Sequence, residues 1–316
     1  MRIGFIFPGQ GSQSVGMLGD LAAVQPEVQA TFEEAGEALG QDLWRIVSQG
    51  PAELLNQTLY TQPAMLAAGV AVWRAWRARG GPRPACMAGH SLGEYTALVC
   101  AGALAFADAV PLVQARARCM QEAVPEGSGA MAAILGLDDE AVRRVCETAA
   151  GGEVLEPVNF NAPGQVVIAG QAEAVRRGVE AAKAAGAKRA VMLAVSVPSH
   201  CALMRPAAER FAEILAAVPL RLPEVPVLHN VNVETAPTVE ALRQALVAQL
   251  HSPVRWVETI HAMTARGVDK LVECGPGKVL AGLNRRIDKT LAVWPVFDPA
   301  GLETALAELG QGGDEA

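Results

Sequence analysis

Gly89-His90-Ser91-Leu92-Gly93 is a complete G-x-S-x-G, the pattern of a serine carried on a sharp turn between a strand and a helix. The apolar run Ala85–Ala88 behind Pro84 has the length of a buried strand, and Gly93 to Val99 can continue as a helix. A turn that tight strains Ser91 and exposes its hydroxyl, while glycine on either side removes the Cβ atoms that would clash. A helix starting at Leu92 aims its free N–H groups at whatever bonds to Ser91, which suits an oxyanion. The chemistry on offer is nucleophilic attack on an acyl group.

Such a serine needs a base. The histidines are His90, His200, His229, His251 and His261. His90 adjoins the serine, and neighbours in such a turn point in different directions. His200 follows Val197-Pro198-Ser199 at a junction between structural units and opens a helix, so it leads the candidates. The third member of a triad is not legible, because the Asp and Glu candidates are too many to rank.

The elements that must position these groups read as α/β. Ile3–Phe7 is a buried first strand followed by the glycine-rich Pro8-Gly9-Gln10-Gly11-Ser12-Gln13. That loop lacks the Gly-Lys-Ser/Thr of a phosphate cradle and the spacing of a dinucleotide fingerprint. Helices are expected at Pro26–Leu39, around Asp42–Gln49, from Thr61 through Trp76, and from Ala105 or Asp108 to Ala123. The middle then changes rhythm. Strand Gly129–Leu137, helix Asp138–Ala149, strands Val154–Phe160 and Gln165–Gly170, helix Gln171–Ala185 and strand Lys188–Ser196 follow in the order β-α-β-β-α-β, the ferredoxin-like split motif. Further helices are expected at Cys201–Ala217, Val239–Leu250 and Pro253–Arg266, with strands at Val227–Val231 and Lys270–Cys274. Gly275-Pro276-Gly277 turns into a helix through Ile287, Leu291–Val296 closes the fold, and Gly310 to Ala316 is expected to be disordered. The expected architecture is an α/β-hydrolase-like large domain (1–126 and 198–316) with an inserted ferredoxin-like small subdomain (127–197).

Composition narrows the function classes. A net charge of −7 over 316 residues argues against nucleic acid as the main partner, so an anionic ligand must meet a local patch. The six cysteines form no C-x-x-C pair and no metal-like spacing with histidine; they read as core residues in a reducing cytoplasm. The longest uncharged stretch, Leu54 to Trp73, holds Asn56, Gln57, Gln62 and Pro63 and is a poor membrane span, and Met1-Arg2 leads into no signal peptide.

Seven motifs then fall in one order: Phe7-Pro8-Gly9-Gln10-Gly11-Ser12-Gln13, Gln62-Pro63-Ala64, Gly89-His90-Ser91-Leu92-Gly93-Glu94-Tyr95, Gln121-Glu122-Ala123-Val124-Pro125, Asn159-Phe160-Asn161-Ala162-Pro163-Gly164-Gln165, Val197-Pro198-Ser199-His200 and Glu273-Cys274-Gly275-Pro276-Gly277. Together they resemble the malonyl-CoA:acyl-carrier-protein transacylases of fatty-acid synthesis over nearly the whole chain. The resemblance implies Ser91 as nucleophile and His200 as base. It implies backbone N–H donors at Gln10 and Leu92 for the oxyanion, and the main-chain carbonyl of Gln249, not a carboxylate, orienting the base. It implies Arg116 pairing with the malonyl carboxylate through its planar fork, and Gln10, Gln62 and Asn161 lining the substrate. One departure stands out: the family usually has Gly after this arginine, where this chain has Ala117 and then Arg118. Arg118 lies about 200° around a helix from Arg116, so only one of the two can face a cleft.

The implied partners are a coenzyme A thioester and an acidic acyl carrier protein, with no metal or organic cofactor, and the protein is expected to be a monomer. Lys188-Arg189 and Arg285-Arg286 are the basic pairs open to the carrier. Three other readings stay open here: a serine hydrolase using water, a non-catalytic carrier-binding subunit, and an acyltransferase for another extender unit such as methylmalonyl.

Overall fold

The computed structural model describes residues 2–195 and 197–310. Nine strands form two sheets: β1 (Ile3–Phe7), β2 (Cys86–Gly89), β3 (Gly129–Leu135), β4 (Leu155–Ala162), β5 (Gln165–Gln171), β6 (Arg189–Met192), β7 (Val227–Leu228), β8 (Lys270–Cys274) and β9 (Ala292–Val296). One sheet has the order β7-β2-β1-β8-β9, and every pairing in it is parallel. Its central strands are buried throughout, as sheets covered by helices on both faces require. The second sheet has the order β4-β5-β3-β6, and every pairing in it is antiparallel. Two helices, Asp139–Ala149 and Ala172–Ala184, share a core of their own with that sheet.

Local signals set most element ends. Pro26–Leu39 forms as read, with Pro at its start and left-handed Gly40 closing it. Asp42, Asp138, Thr238 and Asp298 each accept a backbone N–H of the turn they open. Several element ends lie elsewhere than read: the helix read as Cys201–Ala217 starts at Arg205 after a short 3-10 turn, that read as Pro253–Arg266 starts at Trp256, and the strand read from Lys188 is Arg189–Met192. The helix read from Thr61 begins at Thr58, and Pro63 sits in its second turn where buried neighbours hold it. The helix offered two starts begins after Ala105, which places Pro111 inside it. The strand read as Val227–Val231 is only Val227–Leu228, because His229 and Asn230 leave the sheet for side-chain bonds described below. A helix at Pro299–Leu309 escaped the reading although Asp298 and Pro299 signal it. Residue 196 of the expected strand Lys188–Ser196, and 311–316 of the tail read as disordered, lie outside the described residues.

The glycines of the G-x-S-x-G are places where backbones touch. A Cβ on Gly89 would lie 1.8 Å from the Gly93 carbonyl carbon, and one on Gly93 would lie 2.1 Å from the Phe7 carbonyl oxygen at the end of β1. Helix, turn and first strand are thereby pressed together. Gly93→Ala is expected to cost at least about 3 kcal/mol, because backbone rather than a movable side chain must give way. Gly282→Ala, with nothing within 4 Å of the added carbon, is expected to be neutral or slightly stabilising. Chemical denaturation of both checks this, and equal stabilities would sink the account.

Candidate active site

The groups that could do chemistry lie at the carboxyl ends of adjacent strands, where open α/β sheets place their sites. β1 runs into the Gln10 loop, β2 into Ser91, and β7 into His229 and Asn230. The first loop presses on the elbow: a Cβ on Gly9 would lie 2.5 Å from the His90 carbonyl oxygen. Ser91 has φ of 52°, the left-handed region that costs a non-glycine residue strain. Asn230 clamps that turn, its Oδ1 accepting the Ser91 N–H at 2.7 Å and its Nδ2 donating to the Gly89 carbonyl at 2.7 Å.

Ser91 Oγ stands 2.7 Å from His200 Nε2. His200, with φ of 67°, is held by the end of the Val239–Gln249 helix. Its backbone N–H bonds to Leu250 O at 3.0 Å and its Nδ1 to Gln249 O at 2.7 Å. A carbonyl only accepts, so Nδ1 carries the proton and Nε2 is left to accept from the serine hydroxyl. The last carbonyls of a helix have no partner within it and carry its negative end. The Gln249 carbonyl occupies the place that a carboxylate holds in a triad.

Burial, and then the nearby Arg116 charge, push the His200 pKa down to about 3 against the pull of the Gln249 carbonyl. The imidazole is therefore neutral and ready to accept a proton across the physiological range. Arg116 is 1% exposed. Its Nη1 donates to Gln62 Oε1 at 2.8 Å and its Nη2 to Gln249 Oε1 at 3.0 Å, both neutral oxygens. Among the described residues no carboxylate lies within ion-pair distance of it, and its buried Nε has no partner. Its guanidinium lies over the Tyr95 ring, 5.4 Å from the centroid. Arg118 is exposed, so the two arginines do take opposite faces, and Ala117 packs into the core without displacing Arg116.

Gln249 joins these parts. Its Nε2 donates to the Ser91 carbonyl at 2.9 Å and to Glu94 Oε2 at 2.9 Å, while its side-chain oxygen takes Arg116 and its main-chain oxygen takes His200. Glu94, fully buried, also accepts the Asn230 N–H at 3.0 Å and pairs with His229 Nδ1 at 2.7 Å. Neither the Gln10 nor the Leu92 amide has a hydrogen-bond acceptor among the described residues, which leaves both free to face an oxyanion.

Gln62 touches Arg116, so its effect on a ligand runs through the guanidinium. Asn161 gives its oxygen to His90 Nε2 at 2.8 Å, tying the second sheet to the elbow. The contacts made by Glu94, His229, Asn230 and Thr58 do not follow from the sequence. Only Glu94 carried a signal, a lone acid in the apolar helix after the serine. Glu273, from the last motif, caps the Val279–Ile287 helix by accepting from Leu280 and Ala281, and burial pushes its carboxyl up to about 7. Arg286, which is exposed, donates to Gln165 and to the Pro163 carbonyl. A cavity of about 570 Å³ lined by Arg2, Cys86 and Arg266 lies at the opposite end of the sheet and contains none of these groups.

The acyl transferase domain family model matches residues 4–293. The malonyl CoA-acyl carrier protein transacylase of Escherichia coli (strain K12) is 58% identical over 305 residues, which cover 96% of this chain and 99% of that protein. The Bacillus subtilis (strain 168) protein of the same description is 44% identical over 316 residues, 100% of this chain and 99% of the other. Among solved structures, a chain of the PlMCAT:AntF complex, a type II PKS acyl-carrier protein with its malonyl-transacylase, has a TM-score of 0.96 at 56% identity, covering 98% of this chain and 100% of its own. The Coxiella burnetii malonyl CoA-acyl carrier protein transacylase has a TM-score of 0.96 at 51% identity over 98% of each chain.

The depressed His200 pKa sets a pH dependence. The unfolded chain takes up a proton near pH 6.5, whereas folded His200 does so only near 3. Its contribution to stability is therefore complete above about pH 6.5 and is lost as pH falls from there towards the folded value. The same logic removes the ordinary histidine limb from catalysis. Single-turnover acylation of the free enzyme is expected to stay flat down to about pH 5. An apparent pKa between 6 and 7 in that profile would show that His200 titrates normally.

Proposed function

The chain belongs to the acyl transferase domain family, and from that premise we propose that it moves the malonyl group of malonyl-CoA onto the phosphopantetheine thiol of acyl carrier protein, in fatty-acid synthesis. The observation that carries the choice of acyl group is Arg116. A guanidinium that is 1% exposed, bonded only to neutral oxygens and close enough to His200 for its charge to act there, is a buried charge awaiting its counterion. A carboxylate on the acyl group supplies it, through guanidinium N–H groups that the two glutamine oxygens do not take up.

The reaction runs in two halves. The Ser91 hydroxyl gives its proton to His200 Nε2 as Oγ attacks the thioester carbonyl, and the oxyanion is met by the Gln10 and Leu92 amides. Coenzyme A leaves with the proton from His200, and Ser91 holds the malonyl ester. The carrier thiol then gives its proton to His200, sulfur attacks the ester, and the Ser91 alkoxide recovers the proton as it leaves. A carboxylate on Arg116 offsets the charge that helps depress His200, so the correct substrate strengthens its own base. Gln10, Gln62 and Asn161 complete the pocket.

The larger unit, residues 1–126 and 198–316, is read as α/β-hydrolase-like from its parallel sheet and nucleophile turn. Residues 127–197 are read as an inserted ferredoxin-like unit; the antiparallel order β4-β5-β3-β6 supports this. Six free cysteines support a cytoplasmic protein, which is read as a monomer needing no metal or organic cofactor. Among the described residues no helix is long and apolar enough to cross a membrane.

Incubation with malonyl-CoA alone is expected to leave one malonyl group on Ser91, seen by intact mass and peptide mapping. An unmodified chain, or label on another residue, rules out the covalent route. Arg116→Ala is expected to lower malonyl transfer about 100-fold, the scale of a charge-assisted fork, with far less effect on acetyl transfer. A mutant that keeps the parent's preference for malonyl over acetyl removes Arg116 from substrate selection.

A further inference from the structure

Arg116 can only donate hydrogen bonds, so it dictates the polarity of every group bonded to it. On one side it fixes the oxygen of Gln249, whose Nε2 then donates to the Ser91 carbonyl and Glu94. On the other it fixes the oxygen of Gln62 at 2.8 Å, which turns the Gln62 Nε2 towards Thr58 Oγ1 at 3.0 Å, with the weak acceptor Met120 Sδ at 3.8 Å. The Thr58 hydroxyl, having accepted from Gln62, donates to Oε1 of Gln10 at 3.2 Å. Every link runs outward from the guanidinium. One chain ends at the elbow and the other on the loop that holds the Gln10 amide beside it.

Thr58 is the link between the two glutamines. It is buried at the first position of the Thr58–Ala78 helix, and a hydroxyl is the group that can accept from one amide while donating to another amide's oxygen. We propose that Thr58 is a positioning residue that couples the carboxylate-binding Arg116 to the Gln10 loop, and through Gln62 keeps the guanidinium aligned for a dicarboxylic acyl group; this rests on the reading of Arg116 given above. Without the hydroxyl, Gln62 Nε2 loses its strong acceptor, and only the Arg116 bond to its oxygen and the weak Met120 sulfur are left to hold the amide in its present sense. Turned over, Gln62 presents N–H groups to Arg116, donor against donor, and the guanidinium shifts. An acyl group without a carboxylate does not use that alignment.

The test is the kcat/KM for malonyl-CoA and for acetyl-CoA in the full-length wild type, Thr58→Val, Thr58→Ser, Arg116→Ala and the Thr58→Val/Arg116→Ala double variant. Thr58→Val is expected to cost malonyl transfer about tenfold more than acetyl transfer, the scale of one hydrogen bond. Thr58→Ser, which keeps the hydroxyl, is expected to retain the wild-type preference, and the extra malonyl loss is expected to vanish in the Arg116→Ala background. Gln62→Leu breaks the chain one link nearer the arginine and gives the same malonyl-specific loss, so the proposal stays testable if Thr58→Val does not fold. An equal fall for both acyl groups in Thr58→Val, or in Gln62→Leu where Thr58→Val does not fold, overturns the coupling, as does a malonyl-specific loss that persists without Arg116. The two readings separate cleanly. If Arg116→Ala alone leaves the preference intact, the Arg116 assignment fails; if it abolishes the preference while Thr58→Val does not alter it, only the role of Thr58 fails.

Discussion

The contact on which the site depends is the hydrogen bond between His200 Nδ1 and the carbonyl that ends the Val239–Gln249 helix. It sets the tautomer, and with it which ring nitrogen faces the Ser91 hydroxyl. A helix end can do this because its last carbonyls point outward without partners and because the helix dipole favours positive charge there. The arrangement offers less than a full negative charge. That fits an imidazole kept neutral by burial and by a neighbouring cation.

The same residue that orients the base also organises the charges around it. Gln249 stands between Arg116 and Glu94, accepting from one and donating to the other. A carboxylate in that place would pair with Arg116 directly and close it to any ligand. With a neutral amide as spacer, the guanidinium is left without a carboxylate partner, and Glu94, buried with His229, Asn230 and Gln249 around it, remains close enough to favour the cation. The setting of the buried cation and the support of the serine turn thus share one side chain.

The second sheet is more than an appendage. Its edge strand β4 exchanges bonds with Val254, a few residues past Gln249, through Phe160 N–H to Val254 O and Val254 N–H to Val158 O. Asn161 bonds His90 beside the nucleophile, and Arg286 grips the turn between β4 and β5. These contacts cover an edge that would otherwise present unpaired backbone. They also bring the loop behind the base and the turn carrying the nucleophile against a common neighbour.

Sequence by itself determined what depends on near neighbours in the chain. The tight turn at Ser91 needed glycines because backbones touch there, and those glycines are visible as residues. Caps at Asp42 and Asp138, the Pro26 to Gly40 helix, and the β-α-β-β-α-β order follow from patterns within a few residues. The seven motifs in order added the family, and with it the expectation that a backbone carbonyl stands where a triad acid was sought. Tertiary structure alone decided the partners. Ser91 meets His200 across 109 positions and Gln249 across 158, and Glu94 finds His229 across 135. No period or propensity encodes which distant polar groups will share a buried space, since burial obliges each to find a partner only once the two sheets and their helices have closed around it. For that reason Thr58, Asn230 and the Glu94–His229 pair could not be read in advance, and the site is a property of the closed fold.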